Sequence, residues 1–459
     1  MTGHITLTSI ADAICGYPLF IVLIGGGLYL FIRSRAVSLR CFPEALRVLR
    51  QKQNSGKGEI SSVQALASVV AATIGMGNIA GVAIALAMGG PGAIFWMWVS
   101  ALVGMSTKFH EGVLAIKYRS YDSLGRPYGG PMHIIRNALS KRWRPLATVF
   151  AVAGMFGTLC IMNANQLTEA TLSTIGSFAT IESPTVAKAI VGVIIATITA
   201  LVTIGGVKRI ASVASVLVPF MVAAYFILVL YIVLTHITGL PAVFQSIFSE
   251  AFSLKAGWGG LAGIAIIGAR RAALVNDAGV GTASIMHGTS ANREPVKEGL
   301  VAMLGPAIDS GFVCTLTAVA LLLCGNPADA GAGIKGLDMA MDAFGNAIPG
   351  GQYMLMCIVA CFAMSSMFSY SFYGTRCATY LMGERGARGY IWFFVGTLII
   401  FAIVPLDAAV ALCDLFYALM AFPTMITILR LRKDVRAETD RYFAGKSAKS
   451  QPSAATICD

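Results

Sequence analysis

Apolar segments of about twenty residues recur along the whole chain, and an α-helix needs about that length to cross a lipid bilayer. The eleven segments lie near residues 15–34, 62–87, 92–115, 146–175, 187–206, 211–235, 257–273, 298–324, 351–375, 389–405 and 407–430. Only 12% of the 459 residues are charged, against about 25% in soluble domains. The sequence therefore predicts an all-α polytopic membrane protein with about 11 transmembrane helices.

Lysine and arginine residues concentrate in the loops that follow the odd-numbered segments. The loop after the first segment contains Arg35, Arg40 and Arg47, and the loop after the ninth contains Arg385 and Arg388. Cytoplasmic loops are enriched in such residues. We therefore expect a bacterial inner (plasma) membrane protein with its N-terminus outside and its C-terminus in the cytoplasm. The same clusters account for the net charge of +12, so no nucleic-acid partner is expected.

The second segment contains glycines and an asparagine at its centre, in the run Gly75-Met76-Gly77-Asn78. Two interpretations stay open from the residues alone. Small residues allow two membrane helices to pack closely. Alternatively, the helix unwinds here, which is tolerated at membrane depth only where the freed backbone groups line a cavity or bind a ligand.

An unwound turn would present both kinds of backbone group that a zwitterion and a cation require. The amides of Met76 and Gly77 would face a carboxylate. The expected cation ligands are the carbonyl groups of Ala71, Thr73 and Ile74 and the side-chain oxygen of Asn78. A discontinuous helix of this kind is typical of secondary transporters.

A second interruption is predicted in the seventh segment, within the glycine-rich stretch 257–268. Paired interruptions at corresponding places are typical of inverted repeats. The predicted divisions are an extra N-terminal helix with a basic cytoplasmic loop (1–60), a first five-helix repeat (61–235), a second five-helix repeat (236–433) and a disordered cytoplasmic tail (434–459).

Several runs of residues carry a resemblance to a known family. They are Gly77-Asn78-Ile79-Ala80-Gly81-Val82, Gly89-Gly90-Pro91-Gly92-Ala93-Ile94-Phe95-Trp96-Met97-Trp98, Tyr128-Gly129-Gly130-Pro131, Asn276-Asp277-Ala278-Gly279, the stretch 298–305 and the stretch 372–377. Over residues 60–430 the chain resembles the alanine/glycine:cation symporter family.

The resemblance implies a LeuT-type fold, with a five-plus-five inverted repeat and one extra N-terminal helix. It implies Na⁺-coupled uptake of a small neutral amino acid such as alanine, glycine or serine, with no enzyme activity and no cofactor besides the co-transported Na⁺. The implied substrate-binding residues are Thr73, Gly75, Met76, Gly77, Asn163, Ser366 and Tyr370. A sodium ion is implied between the carbonyls of Ala71 and Ile74 and the hydroxyls of Ser365 and Ser366.

Four positions depart from the family pattern. Met76 replaces a threonine, Asn163 a glutamine, Ser366 a threonine and Tyr370 a tryptophan. Three of these changes shorten the side chain, whereas Met76 fills space. We therefore keep open a substrate larger or more polar than alanine, such as serine or glutamine. The resemblance also leaves H⁺ open in place of Na⁺.

Charged residues inside the apolar segments are further candidates, because a buried charge in a membrane marks function by default. Asp309 in the eighth segment is predicted to be a sodium ligand, with a structural pair as the alternative. Lys108, His110 and Glu111 are expected to form an interfacial network or gate.

Two other classes of protein are disfavoured. A membrane-embedded enzyme would need metal or nucleophile clusters, and the five histidines are not paired at ligand spacing. An ion channel would need a repeated filter loop, which the sequence lacks.

Overall fold

The computed structural model describes residues 17–51, 60–178, 180, 182–252, 257–325, 336–404 and 406–450. The helices are α1 (Tyr17–Arg33), α2 (Val37–Arg40), α3 (Phe42–Arg50), α4 (Ser62–Thr73), α5 (Gly77–Gly89), α6 (Gly92–Lys117), α7 (Pro131–Ala138), α8 (Arg144–Gly157), α9 (Ile161–Gly176), α10 (Pro184–Thr203), α11 (Gly206–Thr235), α12 (Leu240–Ala251), α13 (Gly257–Asn276), α14 (Thr282–His287), α15 (Pro295–Cys324), α16 (Leu337–Ala347), α17 (Gly351–Ile403) and α18 (Leu406–Ser450). A short antiparallel hairpin joins β1 (Ser120–Tyr121) to β2 (Pro127–Tyr128).

Each of the eleven predicted apolar segments overlaps helical structure. Within the described residues, six helices are long and apolar enough to cross a membrane, or seven when α4 and α5 count as one bent span. The long helix α17 covers the ninth and tenth predicted segments and is divided at Gly383, whose backbone is non-helical with φ of 72°. The total of eleven crossings stays a prediction.

The helices pack around one hydrophobic core, and this packing decides which faces meet at the centre. α13 and α15 lie against α6, while α9 and α10 lie against α17. α11 contacts α4. On its other side α11 exposes Val216, Phe220 and Ile227. An exposed apolar stripe of this kind suits contact with lipid tails.

The start of α4 is held by polar groups from distant parts of the chain. A capping box between Ser61 and Gln64 closes the first turn of the helix. The Ser62 hydroxyl donates to the buried carboxylate of Glu298, whose other oxygen lies 2.6 Å from His287 Nδ1. These contacts anchor the N-terminal end of α4 to α14 and α15. The break lies at the opposite, C-terminal end of the same helix.

The predicted disordered tail is helical as far as the structure describes it. Helix α18 continues to Ser450, and residues 451–459 lie outside the described residues. Lys117 pairs with Glu438 at 3.1 Å, and Lys446 pairs with Glu44 at 2.6 Å. The polar composition suggested disorder, and that prediction is wrong for residues 434–450. Glu438 and Lys446 of this segment pair with charged side chains of α6 and α3.

Candidate functional site

The predicted interruption of the second segment is confirmed. Helix α4 ends at Thr73, and α5 begins with a π-helical turn at Gly77, so that the two axes differ by 58°. Ile74 between them is extended, with φ of −72° and ψ of 96°. The last carbonyls of α4 and the first amides of α5 therefore lack partners in their own helices.

The side chain of Asn78 holds the break together. Its oxygen accepts a hydrogen bond of 2.9 Å from the amide of Gly75, and its NH₂ group donates to Asp309 of α15. Both Asn78 and Asp309 are buried. The second carboxylate oxygen of Asp309 has no hydrogen-bond partner within the described residues. A buried carboxylate in this position needs a cation or a proton to offset its lost hydration.

Two hydroxyls of α17 lie against the end of α4. Ser365 Oγ and Ser366 Oγ are 3.0 Å and 3.2 Å from the carbonyl oxygen of Ala71. Both are also within 3.1 Å of the carbonyl oxygen of Phe362. Each hydroxyl has one proton, so it can donate to only one of these two carbonyls. The surplus oxygen lone pairs make this corner suited to a small hard cation.

Gly75 and Gly77 lie where the break meets its neighbours. A Cβ atom on Gly75 would lie 2.8 Å from Ser366 Oγ and 3.8 Å from Asn163 Oδ1 of α9. A Cβ atom on Gly77 would lie 3.1 Å from the Val275 side chain of α13. The small residues thus let the exposed backbone approach α9, α13 and α17 closely.

The second interruption lies at a different place from the predicted one. Helix α13 is continuous from Gly257 to Asn276, so the prediction of a break within 257–268 is wrong. Gly268 at the end of that stretch serves close packing, since a Cβ atom there would lie 2.2 Å from the Ala93 carbonyl oxygen of α6. The chain instead breaks after Asn276, with positive φ at Asp277 (53°), Gly279 (88°) and Gly281 (96°).

Asp277 organises this second break. Its buried carboxylate accepts hydrogen bonds from Thr282 at 3.2 Å and from the phenol of Tyr370 on α17. Tyr417 of α18 donates in turn to Tyr370 at 2.5 Å. Tyr370, predicted to bind substrate, therefore has its hydroxyl engaged by the second break.

Helix α6 supplies further charges beside the second break. Glu111 accepts a 2.6 Å hydrogen bond from the amide of Gly279. The buried ammonium of Lys108 has no hydrogen-bond partner within the described residues. It lies close enough to Asp277 and Glu111 to interact with both electrostatically. These groups form a buried charge cluster around the break, consisting of Lys108, Glu111, Asp277, Tyr370 and Tyr417.

The structure brings most of the predicted residues to one region and adds others. The residues of the first break and the partners that reach it are Ala71, Thr73, Ile74, Gly75, Met76, Gly77, Asn78, Asn163, Asp309, Ser365 and Ser366. The roles of Asp277 and Tyr417 escaped prediction. Asp277 carried a usable signal, since it is an acidic residue two positions before Gly279 and close to the end of an apolar segment.

Comparisons with known proteins agree with this architecture. The sequence profile described as the sodium:alanine symporter family matches residues 2–456. The chain is 38% identical to an uncharacterized transporter of Haemophilus influenzae, over 96% of this chain and 97% of that protein. It is 35% identical to the sodium/alanine symporter AgcS of Methanococcus maripaludis, over 95% and 96% of the two chains.

A solved structure with a related fold is that of MhsT in complex with L-phenylalanine, with a TM-score of 0.60 at 13% sequence identity. The match covers 85% of this chain and 93% of that one. The fold and the relatives define the class: this is a multi-pass membrane transporter with a LeuT-like fold, and not an enzyme. The chain belongs to the sodium:alanine symporter family.

Proposed function

We propose that this protein is a Na⁺-coupled symporter for a small neutral amino acid such as alanine, glycine or serine. The observation that carries the proposal is the break between Thr73 and Gly77, where the Ser365 and Ser366 hydroxyls meet the Ala71 carbonyl. The name of the Methanococcus maripaludis relative supports sodium and alanine as the ion and the substrate that are transported together.

In this proposal the two ligands use opposite ends of the break. Sodium is coordinated by the carbonyls of Ala71 and Ile74 and the two serine hydroxyls. The substrate carboxylate is bound by the amides of Met76 and Gly77, which lie at the positive end of α5. Asn163 and Ser366 border the substrate side chain, because both approach Gly75.

Transport would follow from movement of one group of helices relative to another. The moving group contains the two broken helices, α4–α5 and α13–α14. The opposing group contains α9, α15 and α17. One sodium ion entering through about 100 mV releases about 2.3 kcal/mol, and a tenfold gradient adds about 1.4 kcal/mol. The sum supports accumulation of roughly 500-fold per ion.

The test is uptake of labelled alanine by purified protein in proteoliposomes with an imposed sodium gradient. We expect saturable accumulation that disappears when choline replaces sodium. Ser365→Ala and Ser366→Ala should each raise the sodium concentration required for half-maximal uptake. Ser371→Ala is the matched control, because among the described residues the Ser371 hydroxyl bonds only the Phe368 carbonyl of its own helix. Uptake that ignores sodium in the wild type would overturn the proposal.

A second candidate is a larger substrate such as glutamine, or coupling to H⁺. The short side chain of Asn163 beside Gly75 favours the larger substrate. A further relative, at 31% identity, is the probable sodium/glutamine symporter GlnT of Bacillus subtilis, matched over 96% of this chain and 91% of that protein. Competition by glutamine, serine and alanine, measured with sodium and with a proton gradient alone, separates the candidates.

A further inference from the structure

A basic cavity of about 550 Å³ lies away from the two breaks. It is bounded by the turn between α10 and α11, by the part of α17 around Gly383, and by the β1–β2 hairpin. Four cationic side chains line it, those of Arg126, Lys208, Arg376 and Arg388. Glu384 is the one carboxylate among its lining residues. The cavity therefore has a formal charge of about +3, which favours an anion.

Some of these charges are already oriented by the protein. The guanidinium of Arg376 lies 4.4 Å from the ring centre of Tyr128 and 4.8 Å from that of Phe372. Such stacking fixes the plane of the side chain. The Tyr128 hydroxyl donates a 2.7 Å hydrogen bond to Glu384. Arg376 is thus held in place, and the carboxylate of Glu384 is directed to Tyr128.

The other cations differ in how far they are neutralised. Arg126 forms an ion pair of 2.7 Å with Asp122. Lys208 and Arg388 form no ion pair or hydrogen bond with the part of the chain that the structure describes. Both are exposed. Their charges are therefore available to a ligand.

The position of the cavity indicates what kind of anion reaches it. It opens at the ends of α10 and α11, on the face that the distribution of basic loops assigns to the cytoplasm. Exposed apolar residues lie within two positions of lining residues in the sequence: Ile204 is 56% exposed, Met382 51% and Trp392 64%. A ligand with a phosphate and hydrocarbon chains would match both the basic cavity and this apolar border.

We propose that this cavity binds a phosphate-bearing anion, supplied by the headgroup of an anionic phospholipid. Lys208 and Arg388 bind the phosphate oxygens, and Arg376 is a preformed donor beside them. The exposed side chains of Ile204, Met382 and Trp392 contact the acyl chains. Free inorganic phosphate has the same charged group without the chains, so the two sources can be separated.

The experiment titrates the full-length protein in detergent with phosphatidylglycerol, phosphatidylethanolamine or inorganic phosphate. Bound lipid is counted by native mass spectrometry, and the shift in thermal unfolding is followed in parallel. We expect phosphatidylglycerol to bind and to stabilise the protein, with phosphatidylethanolamine much weaker. Each lysine or arginine near an anionic surface contributes about a fivefold change in binding. The Lys208→Gln/Arg388→Gln double variant should therefore bind phosphatidylglycerol about 25-fold more weakly.

Two control variants keep the result interpretable. Lys141→Gln/Arg50→Gln removes two exposed basic residues outside the cavity and should bind as the wild type does. Lys208→Arg/Arg388→Lys keeps both charges and should retain binding, which excludes misfolding as the cause of a loss. Two results would overturn the site. One is an equal loss of phosphatidylglycerol binding in the Lys141→Gln/Arg50→Gln control, and the other is full binding by the Lys208→Gln/Arg388→Gln variant.

The titration with inorganic phosphate shows whether the bound phosphate group belongs to a lipid or to a soluble anion. Binding of phosphatidylglycerol that millimolar phosphate does not displace supports a lipid. Stabilisation by phosphate alone, lost in the Gln pair at 208 and 388, would overturn the lipid source and assign the cavity to a soluble anion. A failure of sodium-dependent uptake leaves these binding results unaffected, since no step of the titration requires transport.

Discussion

At the scale of single residues, the first break depends on side chains too small to fill it. Gly75 lies where the α4–α5 chain meets Ser366 and Asn163. Asn78 then replaces the missing helical hydrogen bond, because its side-chain oxygen accepts from the Gly75 amide. Asp309 completes the arrangement by accepting from the same asparagine. Each of these groups is therefore expected to affect ligand binding more than folding.

We expect Gly75→Ala to reduce alanine uptake at least tenfold. The new Cβ atom would lie 2.8 Å from Ser366 Oγ, which is closer than van der Waals contact allows. Overpacking of this kind typically costs about 1–3 kcal/mol. The measurement is initial uptake rate, normalised to the folded protein recovered by size exclusion. Gly305→Ala is the control, since among the described residues no atom of another element lies within 4 Å of its Cβ position. Unchanged uptake in Gly75→Ala would contradict the assigned site.

We expect Asp309→Asn to weaken sodium binding roughly tenfold or more. The substitution keeps the shape of the side chain but removes the charge whose second oxygen has no partner in the described chain. A charge-assisted contact contributes about 1.5–3 kcal/mol. The readout is the sodium concentration for half-maximal thermal stabilisation. Asp338→Asn on α16 should leave that concentration unchanged, and an unchanged value in Asp309→Asn would exclude Asp309 from the cation site.

At the scale of helices, α17 connects the two breaks. Ser366 reaches the first break and Tyr370 reaches the second, and residues four apart lie on one face of a helix. Helix α6 contacts the second break from the other side, through Glu111 and Lys108. The second break is therefore stabilised by a buried cluster that contains a lysine and two carboxylates, whereas the first break has the single carboxylate of Asp309 and neutral hydroxyls.

We expect Lys108→Met to lower the stability of the protein strongly, because Asp277 and Glu111 would lose their nearby cation. Removing one partner from a buried group of charges typically costs about 3–5 kcal/mol. Thermal unfolding in detergent measures the effect. The Lys108→Met/Asp277→Asn variant should recover part of the loss, since it removes a carboxylate together with the cation. Equal unfolding temperatures for Lys108→Met and the wild type would contradict the electrostatic role.

The C-terminal part of α18 is docked through Glu44. Burial disfavours the charged form of Glu44, but its hydrogen bond with Lys446 and the charges of Lys446 and Arg47 together hold its pKa below the usual value. A carboxylate with a lowered pKa stabilises the docked state above its unfolded pKa, and this contribution is lost as the pH falls through the lowered value.

We expect Glu44→Gln to release residues 434–446 partly at pH 7. Hydrogen exchange in this segment should become about two- to fivefold faster, because such an ion pair contributes up to about 1 kcal/mol. The wild type should show the same change when acidified to about pH 3, after correction for intrinsic exchange. Asp440→Asn is the control, because its partner Arg436 lies on the same helix. Identical exchange in Glu44→Gln and the wild type at pH 7 would show that this contact does not dock the helix.

At the scale of the whole molecule, the two interrupted helices meet near the centre of the fold. Val275 at the end of α13 lies against Gly77 at the start of α5. One interruption lies within the second apolar segment and the other directly follows the seventh, and these positions suit two inverted five-helix repeats. The basic loops then all lie on one side of the membrane, which defines the orientation that we propose.

We expect the C-terminus of the protein to lie in the cytoplasm, because arginine and lysine flank the cytoplasmic ends of membrane helices. A periplasmic phosphatase fused after the last residue should be inactive, while a fluorescent protein at the same place should fold and fluoresce. The phosphatase fused after Gly325, which follows α15, should be active. Activity of the C-terminal phosphatase fusion would reverse the proposed topology.

The apolar segments could be predicted from the sequence, because they depend on local composition. The residues at Gly75–Asn78 left a break and close helix packing both open, and the family resemblance favoured the break. Segment length and hydropathy select a membrane helix, and glycines beside an asparagine weaken it at one point. Tertiary structure decided the second break, since Gly268 packs against α6 while Asp277 has a hydrogen-bond partner on α17. It also decided that residues 434–450 are helical. Those partners are distant in sequence, and no local pattern encodes a contact between Glu44 and Lys446 or between Asp277 and Tyr370.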